Sequence, residues 1–183
     1  MRPSTPAAIR SRYPCASHNV TCYHGQMAFI LLTHERELDK ASNSGQLIEQ
    51  CLADTQRIVW QRAEPDPALL QLISQYHPAR QIALVYPGEK NPPAIPQQTF
   101  RHYILIDSTW QEARKIYNRS PYLHSLPCVQ LPVEQASRYS LRRNQKTDGL
   151  CTAETAMALL ARAGDQTSLA QLETRFNDFI SGS

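Results

Sequence analysis

The stretch YILIDSTWQE, residues 103–112, decides the fold because it joins a strand to a helix through one acidic residue. Its first four residues are a continuous apolar run, which is typical of a strand buried on both faces. Thr109 is followed three residues later by Glu112, a capping-box pattern that predicts a helix from Thr109 to about Tyr117. Asp107 therefore stands at the carboxyl end of a buried strand, directly before a capped helix.

Outward from this stretch, apolar strands and helical patterns alternate along the chain. Further strands are predicted at residues 27–33, 58–60, 82–86 and 128–131, and further helices after the turn at residues 42–45, from Pro67, at residues 152–163 and at residues 168–180. This alternation indicates an α/β fold with a mostly parallel sheet covered by helices. In such sheets ligands bind outside the carboxyl ends of the strands, where the sequence places Asp107, Tyr86–Gly88 and Thr33–His34.

The composition is that of a globular protein, since 42% of the 183 residues are hydrophobic and 19% are charged. The length suits one core domain, predicted at residues 27–183, after a proline-containing arm at residues 1–26. No apolar run reaches the roughly 18–20 residues that span a bilayer. The basic N-terminus lacks the apolar core of a secretory signal, so we expect a cytoplasmic protein.

Positive charge is concentrated in residues 101–146, which hold eight Lys or Arg residues and three acidic ones, whereas the whole chain carries a formal net charge of only +3. A basic segment on a nearly neutral protein indicates a polyanionic partner, although charge runs are more often solvated surface.

The residue types around Asp107 leave two interpretations open. A carboxylate that ends an apolar strand needs a partner, which is either a ligand or a structural donor. Thr109 caps the helix under both interpretations, and Trp110 fits equally well as core in the first helical turn.

Several blocks carry a family resemblance: LLTHERE (31–37), NSGQL (43–47), IDSTWQEARK (106–115), SPYL (120–123), YSLR (139–142) and LCTAE (150–154). In this order, over about residues 12–181, they resemble the DTW-domain family of tRNA-modifying enzymes. The resemblance implies a fold related to the knotted SPOUT methyltransferases. It also implies transfer of the 3-amino-3-carboxypropyl group of S-adenosylmethionine to N3 of a tRNA uridine, in the variable loop by analogy with bacterial members, with release of methylthioadenosine.

The resemblance also implies roles for particular residues. The catalytic candidates are Asp107, Thr109 and Trp110, with Asp107 as the general base that takes the N3 proton of uridine. The donor would be held by the strand ends and by the opening of the helix at residue 152, whose free N–H groups suit a carboxylate or adenine. These donor-binding candidates are Tyr86, Pro87, Gly88, Ile106, Asp107, Leu150, Cys151, Thr152, Ala153 and Glu154. Thr152 is equally explained as a simple N-cap. The RNA-binding candidates are Arg114, Lys115, Arg142 and Arg143.

Cysteine and histidine alternate near the N-terminus, at Cys15, His18, Cys22 and His24. Relatives in the resembled family typically carry a four-cysteine zinc knuckle here, and two thiolates with two imidazoles still make a competent tetrahedral zinc site. The alternative is an arm with unrelated Cys and His residues.

Two other functions compete with the transferase. One is a SPOUT-like RNA methyltransferase, which shares the donor and moves a different carbon. The other is a non-catalytic, zinc-containing RNA-binding module that uses the basic segment.

Overall fold

The described residues contain one sheet of five parallel strands. The computed structural model describes residues 26–94, 98–131, 137–139 and 149–182. The strands are β1 (Ala28–His34), β2 (Thr55–Trp60), β3 (Ile82–Val85), β4 (His102–Asp107) and β5 (Cys128–Val129). Their order across the sheet is β2-β1-β4-β3-β5, and every adjacent pair is parallel. The predicted parallel α/β architecture is confirmed.

In the part of the chain that the structure describes, five helices cover the sheet, together with single 3-10 turns at Glu35–Glu37 and Pro121–Leu123. They are α1 (Gly45–Cys51), α2 (Pro67–Tyr76), α3 (Trp110–Asn118), α4 (Thr152–Ala163) and α5 (Gln166–Ser181). Within the described ranges no helix is long and apolar enough to cross a membrane.

Successive residues of the central strands pack in turn into two separate hydrophobic cores. Phe29, Leu31 and Leu105 face the core built with α1, α4 and α5. Ile30, Leu32 and Ile104 face the core built with α2 and α3. Because both faces of β1 and β4 are buried, their sequences are continuous apolar runs rather than alternating apolar and polar residues.

The strand register brings the polar strand ends to one edge of the sheet. Thr33 of β1 lies opposite Asp107 of β4, and Val85 of β3 lies opposite Leu105 of β4. The segment that follows Val85 therefore leaves the sheet beside the β4–α3 junction, which is where a parallel sheet presents groups to a ligand.

Local capping explains the start of α3 and corrects two details of the sequence analysis. Thr109 is the N-cap of α3, and its Oγ1 accepts the backbone N–H of Glu112 at 3.3 Å. A capping box would also have the Glu112 carboxylate accept the backbone N–H of Thr109. Here that carboxylate pairs instead with Lys115 Nζ at 2.9 Å. At α4 the N-cap is Cys151 rather than Thr152, whose hydroxyl bonds to a distant carboxylate described below.

Four strands differ in length from the prediction, and β2 and β5 are instructive examples. β2 begins at Thr55, three residues before the predicted Ile58, because its polar first half pairs with β1 along one edge of the sheet. β5 is limited to Cys128 and Val129, which pair with the last two residues of β3. The predicted division at residue 26 lies at the border of the described residues.

His102 is buried at the start of β4, at the opposite end of this strand from Asp107. Its ring lies 4.0 Å from the ring of Tyr76, centroid to centroid. Burial, and secondarily the charge of Arg101, lowers the pKa of His102 from 6.5 to about 4. The folded protein therefore keeps this imidazole neutral at pH values where the unfolded chain protonates it.

This shift predicts a pH-dependent stability. Above pH 6.5 the imidazole is neutral in both states, and as the pH falls from about 6.5 to 4 only the unfolded state takes up the proton. The free energy of unfolding should therefore fall over this window, by at most about 3 kcal/mol. Urea unfolding between pH 4 and 7 measures it. The His102→Gln variant should show a flatter pH profile than His77→Gln, the matched control; identical profiles would contradict the assignment.

Candidate active site

A cavity of about 430 Å³ opens at the carboxyl ends of β3, β4 and β5. Its walls come from segments that are distant in sequence: Val85–Pro87, Leu105 and Ile106, Ser108–Gln111, Ala113, Val129–Leu131, Tyr139, Gly149–Thr152, Thr155 and Ser44. Its volume lies in the range of small-molecule sites, which run from roughly 300 to 1,000 Å³.

The cavity has apolar walls with a few polar groups. The apolar part comes from side chains such as Val85, Leu105 and Leu150. Among the polar residues, Ser108 is distinctive because its Oγ is buried and has no hydrogen-bond partner among the described residues. A buried hydroxyl without a partner is costly, so this atom is a candidate contact for a bound ligand.

Trp110 forms one wall of the cavity and packs against the backbone of Gly149. A Cβ atom at position 149 would lie 2.7 Å from Trp110 Nε1 and 2.9 Å from two ring carbons. The indole therefore requires glycine at this position. Gly149 thus joins the first turn of α3 to the segment that enters α4.

The Tyr86–Gly88 turn packs against Tyr117 and Asn91. The Tyr86 ring lies 4.6 Å from that of Tyr117, and Tyr117 donates its hydroxyl proton to Asn91 Oδ1 at 2.6 Å. A Cβ at Gly88 would lie 2.5 Å from that same oxygen, so the turn packs closely here. Tyr86 and Pro87 line the cavity, whereas Gly88 supports the turn.

Asp107 is buried, with 1% of its surface exposed, and is satisfied from three directions. Its Oδ2 accepts hydrogen bonds from Asn43 Nδ2 at 2.8 Å and from Thr33 Oγ1 at 3.2 Å. Its Oδ1 accepts one from Thr152 Oγ1 at 2.8 Å. Ile106 and Ser108 line the cavity on either side of it in sequence, whereas Asp107 lies behind the wall.

The start of α4 is held by a second buried carboxylate. Glu154 accepts hydrogen bonds from Cys151 N at 2.9 Å, Ser137 Oγ at 2.5 Å and Arg138 N at 2.7 Å. Burial, followed by the charge of Glu154, raises the pKa of the Cys151 thiol to about 12. The Cys151 side chain is therefore a neutral thiol near pH 7 rather than a nucleophilic thiolate.

Arg114 and Lys115 are exposed on α3, directly after the helical turn that lines the cavity. Lys115 pairs with Glu112, which also lies 3.4 Å from His34 Nε2. The hydrogen bond from Lys115, with the nearby charges of His34 and Arg36, lowers the pKa of Glu112. Arg142 and Arg143 lie outside the described residues.

The DTW domain family matches residues 9–182, which is nearly the whole chain. The chain belongs to the DTW domain family. Among curated proteins, tRNA-uridine aminocarboxypropyltransferase 2 of Drosophila melanogaster is 36% identical over 102 residues. That match covers 52% of this chain and 39% of the relative, so it spans about two fifths of the relative's length. No solved structure matches the chain.

Four of the six sequence blocks that carry the family resemblance contribute residues to the cavity: NSGQL, IDSTWQEARK, YSLR and LCTAE. Thr109, Trp110, Tyr86, Pro87, Ile106, Leu150, Cys151 and Thr152 were singled out in the sequence and all line it. Asp107, Gly88, Ala153 and Glu154 lie behind its wall. Ser44, Asn43 and Thr33 were not among the predicted site residues, although the polar NSG turn and the strand end at Thr33 were visible signals. Ser44 lines the cavity, and its Oγ accepts the backbone N–H of Ala153 at 3.3 Å.

The zinc-knuckle candidates Cys15, His18, Cys22 and His24 lie outside the described residues. Among the residues that are described, no group of three or more His, Cys, Asp or Glu side chains is arranged to hold a metal ion.

The contact between Trp110 and Gly149 yields a spectroscopic prediction. Gly149→Ala should displace the indole because the added methyl overlaps it. In a Trp60→Phe background, which leaves Trp110 as the sole tryptophan, the fluorescence emission should shift to longer wavelength as the ring moves toward water. Ala161→Ser at an exposed position of α4 is the control, since it also adds one heavy atom but away from the cavity. Unchanged emission in Gly149→Ala would contradict the packing described.

Proposed function

We propose that this chain transfers the 3-amino-3-carboxypropyl group of S-adenosylmethionine to N3 of a uridine in tRNA. The observation that carries the proposal is that four of the six DTW blocks line one ligand-sized cavity at the strand ends. The name of the Drosophila relative supports the same reaction for this chain. By resemblance to bacterial members, the acceptor is the variable-loop uridine.

The cavity fits the donor in size and in chemistry. Apolar residues such as Val85 and Leu105 offer a surface for adenine, which is flat and weakly polar. The Ser108 Oγ, which has no hydrogen-bond partner among the described residues, and the polar groups at the start of α4 offer contacts for the amino acid portion. In this proposal the donor is held by Tyr86, Pro87, Ile106, Ser108 and the Leu150–Thr152 segment.

When bound, S-adenosylmethionine supplies a carbon attached to a sulfonium: an N3–C bond forms, the C–S bond breaks with its electron pair left on methylthioadenosine, and the N3 proton goes to a base or to solvent. The residues that line the cavity bind and orient the reactants and exclude water, and such positioning contributes much of the acceleration when the leaving group is already good. The sequence-based hypothesis that Asp107 takes the proton is one of two roles for this residue, and the variants described in the next subsection distinguish them.

The proposal extends to parts of the chain outside the described residues. By the family resemblance we propose the knotted SPOUT-like topology, and a small zinc knuckle at Cys15, His18, Cys22 and His24 in an arm before the catalytic domain of residues 27–183. Because tRNA is the acceptor in this proposal, we also propose a cytoplasmic location.

The decisive experiment is product identification with the purified full chain, S-adenosylmethionine and unmodified tRNA. Mass spectrometry should find an aminocarboxypropyl-modified uridine in the tRNA and methylthioadenosine in the supernatant. Adenosylhomocysteine with a methylated nucleoside would instead establish the methyltransferase alternative. tRNA binding without any donor binding in calorimetry would establish the non-catalytic RNA-binding module.

The exposed basic residues of α3 should bind phosphate near the cavity. Arg114→Ala with Lys115→Ala is expected to weaken tRNA binding and to reduce the slope of log affinity against log salt by about 1 to 2, since each phosphate contact contributes roughly 0.9. The matched control removes the same charge elsewhere, through Arg162→Ala with Arg175→Ala on α4 and α5, and should leave the slope unchanged. Equal slopes in both double variants would contradict the assignment.

A further inference from the structure

The carboxylate of Asp107 is enclosed by its neighbours and lies behind the cavity wall. Its Oδ2 accepts hydrogen bonds from Asn43 and Thr33, its Oδ1 accepts one from Thr152, and 1% of the residue is exposed. On the side of α1, a Cβ at Gly45 would lie 2.6 to 2.7 Å from both oxygens and from the carboxyl carbon, so the Gly45 backbone is already in close contact. A general base needs an oxygen within hydrogen-bond reach of the proton that it takes, and in this structure Asp107 does not line the cavity.

The partners of Asp107 tie the cavity wall to the sheet. Thr152 begins α4 and lines the cavity, whereas Thr33 is buried near the end of β1. Asn43 is itself fixed, because its Nδ2 also donates to Glu37 O at 3.1 Å and its Oδ1 accepts from Gln46 N at 3.2 Å. Asn43 can therefore present only an N–H to Asp107, and the carboxylate connects this turn to the cavity wall at Thr152.

We infer that Asp107 is a positioning residue: through the Thr152 hydroxyl it fixes the Leu150–Thr152 wall of the donor cavity, and it does not take the uridine proton. This inference rests on the proposed function, because it assigns the work of Asp107 to donor binding. It also gives Thr152, Asn43 and Thr33 defined parts in the same site.

The hydrogen-bond pattern makes Asp107→Asn an informative variant. Its amide oxygen can still accept from Asn43, which leaves the amide nitrogen facing Thr152. A threonine hydroxyl both donates and accepts, so Thr152 can turn its proton away and accept a bond from the new amide. Asp107→Asn therefore keeps the connection and abolishes the basic carboxylate, whereas Thr152→Val keeps the carboxylate and breaks the connection.

The two variants separate positioning from proton transfer. We expect Thr152→Val to raise the Kd and KM for S-adenosylmethionine roughly tenfold, since it leaves a buried carboxylate oxygen without its donor, while kcat and its pH profile stay unchanged. Thr152→Ser, which keeps the hydroxyl, should restore wild-type donor binding. Asp107→Asn should keep kcat within about tenfold of wild type with the same pH profile, and its combination with Thr152→Val should be non-additive because the two side chains are in contact.

Thr174→Val on the exposed face of α5 removes the same hydroxyl away from the cavity and is the matched control. If Thr152→Val binds S-adenosylmethionine as tightly as this control does, the positioning role is overturned. A loss of kcat of about 10²-fold or more in Asp107→Asn, with donor affinity retained and activity recovering at high pH, would establish Asp107 as the base and overturn the inference.

The reference measurement is donor binding by the wild-type protein in calorimetry. If the wild type binds no S-adenosylmethionine, the proposed function fails and this inference fails with it. If the wild type binds and the variants follow either contrary pattern, only the inference fails. Because Asp107→Asn and Thr152→Ser retain the hydrogen-bonded connection, they remain informative even if Thr152→Val does not fold.

Discussion

The burial of one carboxylate, that of Asp107, sets the arrangement of this end of the molecule. An ionised carboxylate loses its hydration when it is buried and needs hydrogen bonds in return, and here there are three, from β1, from the turn before α1 and from the start of α4. The donors are 74, 64 and 45 residues away from Asp107 along the chain. These elements meet at one point because the parallel pairing of β1 and β4 places Thr33 beside Asp107.

The same meeting point forms the cavity. The start of α4 is held by hydrogen bonds to Asp107 and to Glu154, which fix the Leu150–Thr152 segment. The Trp110 ring, another part of the wall, packs against Gly149 directly before this segment. A cavity whose wall is fixed in this way needs little reordering when a ligand enters, so little affinity is lost to that cost.

The sequence predicted the elements well because their signals are local. The apolar run at residues 103–106 and the cap at Thr109 each depend on neighbours within a few residues, and both were confirmed. Thr152 was read by the same local rules as an N-cap, and this was wrong because its hydroxyl bonds to Asp107 instead. The three donors to Asp107 could not be found locally, since only the strand order and register bring them together. Ser108 stood inside the quoted motif, yet its burial without a partner is a property of the fold.

The chemical state of Cys151 is consistent with the proposed donor. S-adenosylmethionine is an alkylating agent, and a thiolate in the same cavity would be a stronger nucleophile than a uridine nitrogen. Burial and the adjacent Glu154 carboxylate keep the thiol protonated by raising its pKa to about 12, so the reactive form is scarce at neutral pH. Glu154 thus has two effects: it accepts the hydrogen bonds that order the start of α4, and its charge suppresses ionisation of the one cysteine that the described cavity wall contains. A cavity that binds an electrophile can contain a cysteine in its wall if the thiol stays protonated. Here burial and the charge of Glu154, three residues from Cys151, keep it protonated.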